Sequence, residues 1–131
     1  MADAPQKKIL LIDDDKFLLD MYVIKFTGAK YEVQAADSSD AALKLLRDGF
    51  QPDVALIDIK MAGMDGLELL EAIRKERLIP KTVIIMLTNQ GQSDDIARAQ
   101  KMGVDGYIVK ATTIPSEVLS EVEKIMTSKR S

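Results

Sequence analysis

The chain has 131 residues, 47% of them hydrophobic and 30% charged, with a formal net charge of -3 and an isoelectric point near 5.0. This length is typical of one domain with its own core, and the acidic balance gives no basic surface of the kind that binds nucleic acid directly. Because cysteine and histidine are both absent, disulfides and a zinc site of the usual kind are excluded, and any bound metal must have oxygen ligands.

Neither a signal peptide nor a membrane span is expected. Residues 1–8 lack the apolar segment of a signal peptide, and no apolar run approaches the ~20 residues of a membrane helix. We therefore expect a cytoplasmic protein without membrane contact. It should form a single domain over residues 1–131, with a core at about 8–126 and loose ends at 1–6 and 127–131.

Five apolar segments predict strands. Four are short and rich in branched residues, which is typical of buried parallel strands; they cover residues 9–12, 54–57, 83–87 and 107–109. The fifth, residues 31–36, alternates and places Tyr31, Val33 and Ala35 on one face. This alternation suits a half-exposed edge strand.

Helical patterns fill the intervals between and after these strands. They cover residues 15–27, 38–48 and 66–77, an interval from Ser93 to Gly103, and a last segment entered through Pro115. The first helix carries Phe17, Met21 and Ile24 at helical spacing and is expected to be capped by Gly28. Strict alternation of strand and helix predicts right-handed crossovers and an α/β fold with helices on both faces of a parallel sheet.

One polar residue stops each of the four buried strands. These residues are Asp13, Asp58, Thr88 and Lys110. The carboxyl ends of parallel strands share one edge of a sheet, where ligands bind at the point of strand reversal. We therefore expect the four side chains to meet at one site.

The acidic residues predict a metal site. An isolated triplet such as Asp13, Asp14 and Asp15 is more often a helix cap with solvated neighbours, and Asp15 fits that cap. If the first and third strands are adjacent, however, Asp13 and Asp14 converge with Asp58. Clustered carboxylates without a cation raise the pKa of one member. A divalent ion that prefers oxygen, such as magnesium, manganese or calcium, relieves this repulsion.

Thr88 and Lys110 add what carboxylates lack. A hydroxyl donor and a positive charge both suit phosphoryl oxygens carried on an acceptor carboxylate. Either residue alone means little, and a lone lysine at such a position is usually a solvated strand end. Tyr107, within the last strand, is by default a core aromatic residue.

With these residues in place, the chain resembles the receiver domain of bacterial two-component response regulators, from Lys8 to about Met126. Four segments carry the resemblance: ILLIDDD, DVALIDIKMAGMDG, VIIMLT and GVDGYIVK. The resemblance implies a flavodoxin-like, doubly wound sheet of five parallel strands in the order 2-1-3-4-5, with five helices.

The resemblance also implies roles for the site residues. Asp58 is the expected acceptor of a phosphoryl group from a phosphohistidine, supplied by a sensor histidine kinase or a histidine phosphotransfer protein. Thr88 and Lys110 are expected to bind the phosphoryl oxygens. The switch is expected to draw Thr88 inward, repack Tyr107 and change binding of an unknown downstream protein, with no enzyme activity beyond its own phosphorylation and dephosphorylation.

Metal ligands follow from the same resemblance. Asp14 and Asp58 would ligate Mg²⁺, or Mn²⁺, directly, Asp13 would act chiefly through water, and the backbone carbonyl of Lys60 would be a further ligand. The Lys60 side chain is expected to turn over the phosphoryl group, obstruct the attacking water and slow hydrolysis by roughly threefold to thirtyfold.

Several residues depart from the family pattern. Ala62 and Ala111 stand where proline is usual, and Asn89 stands where a small residue is common. Without proline, the cis form of the Lys110 to Ala111 bond costs about 3 kcal/mol, so a trans bond is expected. Asn89 and Gln90, with Lys60, are the expected tuning positions for phosphate lifetime.

Two other classes of protein are disfavoured by the charged residues at this site. A haloacid-dehalogenase-like phosphatase needs a second acid where Lys60 stands, and a flavodoxin-like flavin carrier needs a phosphate-binding loop where Asp13, Asp14 and Asp15 would repel phosphate. The alternative left open is a protein-interaction module of receiver fold that works without phosphorylation.

Overall fold

The computed structural model describes residues 6–88, 93–110 and 113–130. The strands are β1 (Lys8–Ile12), β2 (Glu32–Ala36), β3 (Val54–Asp58), β4 (Val83–Thr88) and β5 (Gly106–Val109). The helices are α1 (Lys16–Gly28), α2 (Ser39–Arg47), α3 (Gly66–Lys75), α4 (Ser93–Lys101) and α5 (Pro115–Arg130). The predicted alternation of strands and helices is confirmed.

All five strands form one parallel sheet in the order β2-β1-β3-β4-β5. The predicted fold class and strand order are therefore confirmed, with β2 at one edge. Ile12 pairs with Ile57 across β1 and β3, so the residues that follow them, Asp13 and Asp58, leave the sheet side by side. The strand order reverses at this point, which is where α/β sheets bind ligands.

The core lies on both faces of the sheet because successive strand residues point to opposite sides. In β1, Ile9 and Leu11 pack with α1 and α5, while Leu10 and Ile12 pack with α2 and α3. All four side chains are almost completely buried. This two-sided burial explains why the central strands are continuous apolar runs rather than alternating ones.

Side-chain caps begin three of the helices. Asp15 accepts from the Leu18 N–H at 3.1 Å, which confirms its predicted role as a helix cap. Ser38 caps α2, and Asp65 forms a capping box with Glu68 at the start of α3. Helix α4 begins at Ser93 itself, so the contacts that cap it lie outside the described residues.

Helix α1 ends at Gly28, but glycine is not the residue that turns the chain. The C-cap is Ala29, and the left-handed residue is Lys30, with φ of 74°. The predicted glycine cap is therefore wrong, and Lys30 bears the strain of a conformation that residues with a side chain rarely adopt. Helix α5 begins at Pro115, as predicted, and continues to Arg130, past the expected end of the core.

The apolar residues whose helical spacing indicated α1 lie on its exposed side. Phe17 is 77% exposed, Ile24 70% and Met21 36%. The residues that α1 buries are Leu19, Tyr22 and Phe26. Because α1 is apolar around most of its circumference, helical spacing alone did not distinguish the face that packs from the one that does not.

Gly66 lets α3 start directly against the end of β3. A Cβ built at Gly66 would overlap the carbonyl oxygen of Asp58. The Gly66 N–H also donates to the Ile59 carbonyl at 2.8 Å. The loop after Asp58 is therefore folded back tightly, which holds Lys60 and Ala62 beside the site.

Candidate functional site

Three carboxylates converge at the carboxyl edge of the sheet. Asp13 follows β1, Asp14 is its exposed neighbour, and Asp58 ends β3. Each of the three offers an oxygen that lies within 4.8 Å of the others. Asp13 and Asp58 are 0% and 2% exposed, so the predicted convergence is present and largely desolvated.

Backbone groups orient the two leading carboxylates. The Asp15 N–H donates to Asp13 Oδ1 at 2.9 Å, and the Ala62 N–H donates to Asp14 Oδ2 at 3.1 Å. Because Ala62 belongs to the loop after β3, its hydrogen bond links that loop to the end of β1. These bonds leave Asp13 Oδ2 to pair with Lys110, at 2.9 Å.

Lys110 supplies a positive charge to this acidic group. Its Nζ lies 2.9 Å from Asp13 Oδ2 and 3.1 Å from Asp58 Oδ2, and its side chain is 15% exposed. Burial opposes the charge, but the hydrogen bond with Asp13 and the charge of Asp58 raise the pKa of Lys110 above its usual range. One ammonium group thus pairs with two of the three carboxylates, which leaves a net negative site.

The pKa of Asp58 is raised to about 7. Burial is the larger cause and the Asp13 charge the next, while Lys110 lowers the value in part. The sequence predicted a raised pKa from repulsion alone, whereas desolvation contributes more. Without a bound metal ion, the Asp58 carboxyl group is therefore partly protonated near neutral pH.

Thr88 lies at the end of β4, with 1% of its surface exposed. It pairs in register with Val109, the residue before Lys110. Thr88 and Lys110 therefore emerge from neighbouring strands, as predicted. Asn89 and Gln90, and the Ala111 side of the bond after Lys110, lie outside the described residues.

Tyr107 was expected by default to be a core aromatic residue, and this expectation is wrong. It is 40% exposed. The reason is that β5 is an edge strand, and the face of β5 that carries Tyr107 is opposite to the one that buries Ile108.

The Lys60 side chain has a partner that sequence reasoning missed. Its Nζ lies 3.3 Å from Asp95 Oδ2, in the first turn of α4. Arg98 Nη1 lies 3.5 Å from Asp95 Oδ1 and 3.5 Å from Asp65 Oδ2. The spacing of Asp95 and Arg98 on one helix was a visible signal for their pairing, but nothing in the sequence linked Asp95 to a lysine so far away.

The donor set fits a hard divalent cation. All three side chains are carboxylates, the oxygen ligands that such ions prefer, and together with Lys110 they leave a net negative charge that a divalent cation would offset. Among the described residues, no helix is long and apolar enough to cross a membrane.

The chain belongs to the response regulator receiver domain family, whose sequence profile matches residues 9–123. Two curated relatives are each 29% identical to it over 120 residues. The DNA-binding response regulator MtrA of Mycobacterium tuberculosis aligns over 92% of this chain and 50% of its own length. The phosphate regulon transcriptional regulatory protein PhoB of Pseudomonas aeruginosa aligns over 92% and 52%. The chain thus spans about half the length of these curated relatives.

Solved structures agree with this assignment. A CheY-like receiver domain protein from Methanospirillum hungatei has a TM-score of 0.83 and 30% identity, covering 95% of this chain and 97% of its own. The chemotaxis protein CheY4 of Vibrio cholerae has a TM-score of 0.82 and 27% identity, covering 92% and 98%. The chain is therefore a receiver, the phosphoacceptor switch of phosphorelay signalling, and its acidic residues lie where receivers bind Mg²⁺.

Proposed function

We propose that Asp58 accepts a phosphoryl group from a phosphohistidine of a sensor histidine kinase or a histidine phosphotransfer protein. The observation that carries this proposal is the position of the buried Asp58 carboxylate, 3.1 Å from the Lys110 ammonium and beside Asp13 and Asp14. Because residues 1–131 contain no histidine, the phosphohistidine must lie outside them.

The transfer needs a nucleophile and stabilisation of the phosphoryl charge. A carboxylate oxygen of Asp58 attacks phosphorus while the P–N bond to the imidazole breaks, and the imidazole nitrogen keeps the electron pair and takes up a proton. Lys110 and Thr88 bind the phosphoryl oxygens as charge develops on them. The ion pair of Lys110 with Asp13, at 2.9 Å, supports this role.

We further propose that Asp14 and Asp58 ligate Mg²⁺ directly, with Asp13 acting through water and the Lys60 carbonyl as a further ligand. Manganese would fit the same oxygen donors. The chemistry that the bound ion supplies is neutralisation of the carboxylates and the phosphoryl oxygens. The Asp15 and Ala62 N–H groups keep the carboxylates aimed at the shared centre.

Acetyl phosphate with excess magnesium tests the acceptor. We expect the intact mass to increase by one phosphoryl group in the unsubstituted chain and in Asp20→Asn, a control that removes an exposed carboxylate on α1. Asp58→Asn should show no increase. A mass increase that persists in Asp58→Asn would refute the acceptor, and no increase in any variant would favour a module that works without phosphorylation.

The exposed side of α1 is the surface we propose for the phosphodonor protein. Phe17, Met21 and Ile24 lie on one side of a helix that begins directly after the acidic triplet. Exposed apolar side chains grouped in this way mark protein interaction sites. A donor seated on α1 would carry its phosphohistidine to the adjacent Asp58.

Output is proposed to pass through a protein that binds the face formed by α4, β5 and α5. Tyr107 on β5 is exposed there and lines a groove with Thr113 and Glu117. DNA binding is named for the longer relatives and is not proposed for this domain.

A further inference from the structure

Lys60 joins the loop after Asp58, which we call the acceptor loop, to α4. It stands two positions after Asp58, and its Nζ lies 3.3 Å from Asp95 Oδ2. The Asp95 side chain is 7% exposed, whereas that of Lys60 is 52% exposed. The carboxylate is therefore fixed within the protein, and the ammonium is the member of the pair with freedom to move.

A second cation makes such movement feasible. A buried carboxylate that loses its only partner is strongly destabilising. Asp95 also has Arg98, whose Nη1 lies 3.5 Å from Asp95 Oδ1 and is itself placed by Asp65. If Lys60 leaves, Asp95 retains one cation, so the pair can open without stranding a buried charge.

Phosphorylation of Asp58 would give the Lys60 ammonium a partner with more negative charge than Asp95. Conversion of the Asp58 carboxylate to an acyl phosphate raises its charge from one negative unit to about two and adds strong acceptor oxygens. Lys110 already serves Asp13 and Asp58 before this charge arrives. Among the described residues near the loop, Lys60 is the cation attached closest to Asp58 in sequence and is half exposed.

We propose that Asp95 is a positioning residue for Lys60. In the unphosphorylated chain it holds the Lys60 ammonium on α4, and phosphorylation of Asp58 makes Lys60 exchange Asp95 for the phosphoryl oxygens. The exchange frees the first turn of α4. This inference rests on the proposed function of Asp58. It adds that Asp95 and the phosphoryl group compete for the Lys60 ammonium. The competition limits the lifetime of the phosphoryl group, and its outcome changes the contacts of α4.

A double-mutant cycle on dephosphorylation tests the competition. With magnesium in excess, Asp95→Asn leaves Lys60 uncontested for the phosphoryl group and should slow hydrolysis by about threefold. In a Lys60→Asn background, which should hydrolyse faster than the unsubstituted chain, Asp95→Asn should have no further effect. Asp94→Asn, an exposed carboxylate in the same turn, is the matched control and should leave the rate unchanged.

The outcomes separate this inference from the proposed function. Equal slowing by Asp95→Asn in both backgrounds would show a general loosening of α4 and overturn the competition, as would no slowing in either. Asp95→Glu, which keeps the charge, should restore the unsubstituted rate if the pair is what matters. Failure of the unsubstituted chain to gain phosphoryl mass would overturn both proposals.

Amide hydrogen exchange gives a readout that does not depend on the hydrolysis rate. Phosphorylation should increase exchange at residues 97–101 of α4 in the unsubstituted chain, because the Lys60 contact at its first turn is released. Asp95→Asn should show the increased exchange without phosphorylation and little further change with it. If the unphosphorylated Asp95→Asn chain shows the same exchange in α4 as the unsubstituted chain, the contact of Lys60 with Asp95 does not hold α4 as proposed.

Discussion

At the residue scale, Asp58 is surrounded by groups that oppose its charge. It is 2% exposed and adjacent to the Asp13 carboxylate, and Lys110 offsets only part of this cost. The Asp58 carboxylate is therefore poorly stabilised in its ionised form. A bound cation, or the phosphoryl group that we propose Asp58 accepts, would supply the missing compensation.

The raised pKa predicts how stability depends on pH when no metal is bound. The pKa of Asp58 is raised to about 7 in the fold, well above that of an exposed aspartate, so the folded chain retains a proton that the unfolded chain loses. Its contribution to the free energy of unfolding is complete below the unfolded pKa, decreases as pH rises and is lost above the folded pKa. Asp58→Asn removes this loss, because the amide does not ionise.

Urea unfolding in a chelating buffer at about pH 5 and about pH 8 measures the effect. We expect the free energy of unfolding to fall more between these values in the unsubstituted chain than in Asp58→Asn, and Asp58→Asn to be the more stable at the higher pH. Asp20→Asn, on the surface of α1, should behave as the unsubstituted chain does. Parallel curves for the unsubstituted and Asp58→Asn chains would contradict the burial argument.

At the element scale, α1 divides its apolar residues between two tasks. Leu19, Tyr22 and Phe26 pack on the sheet, and Phe17 and Ile24 remain exposed on the other side. Exposed side chains of this size add nothing to the core, so their loss should leave stability nearly unchanged. If these exposed side chains have a role, their loss should therefore weaken the binding of the phosphodonor protein.

Phe17→Ala tests the role of this face. We expect transfer from a phosphohistidine protein to slow by roughly tenfold, since a buried aromatic anchor contributes about 1 kcal/mol or more to an interface. Phosphorylation by acetyl phosphate should be unchanged, because the small donor needs no docking surface. Glu32→Ala, an exposed residue on the edge strand β2, is the control. Equal slowing with both donors would assign Phe17 to the acceptor site instead.

At the scale of the whole molecule, the proposed acceptor site and the proposed output face are connected by the neighbouring strands β4 and β5. Thr88 pairs with Val109, and Met86 pairs with Tyr107 across β4 and β5. A movement of Thr88 toward a phosphoryl group therefore acts on the strand that carries Tyr107. Both strands pack against α5 through Ile85 and Ile108, which extends the change to that helix.

Amide chemical shifts with and without phosphorylation test this route. We expect changes beyond the acidic residues to concentrate between residues 88 and 126, including β5 and α5, because these elements lie beside Thr88. The Asp58→Asn chain treated with the same donor is the control for donor binding alone. Changes confined to β1, β2 and α2 would reject the output face.

The sequence by itself determined the strands and the acidic site. Runs of branched residues such as those ending at Asp13 and Asp58 are stable only where both faces are covered, which requires a parallel sheet flanked by helices. Residues that stop such strands then meet at one edge, whatever the details of packing. For this reason, the convergence of Asp13, Asp58, Thr88 and Lys110 on one edge of the sheet was predictable from spacing alone.

Only the tertiary structure decided which surfaces were covered and which charges paired. Periodicity favoured Phe17 as a buried residue, yet the sheet selected the opposite side of an apolar helix. Tyr107 is exposed because β5 lies at an edge, and Lys60 pairs with Asp95 because the folded chain brings α4 beside the acceptor loop. These outcomes depend on contacts between residues far apart in sequence, and local propensity carries no information about which of several such contacts forms.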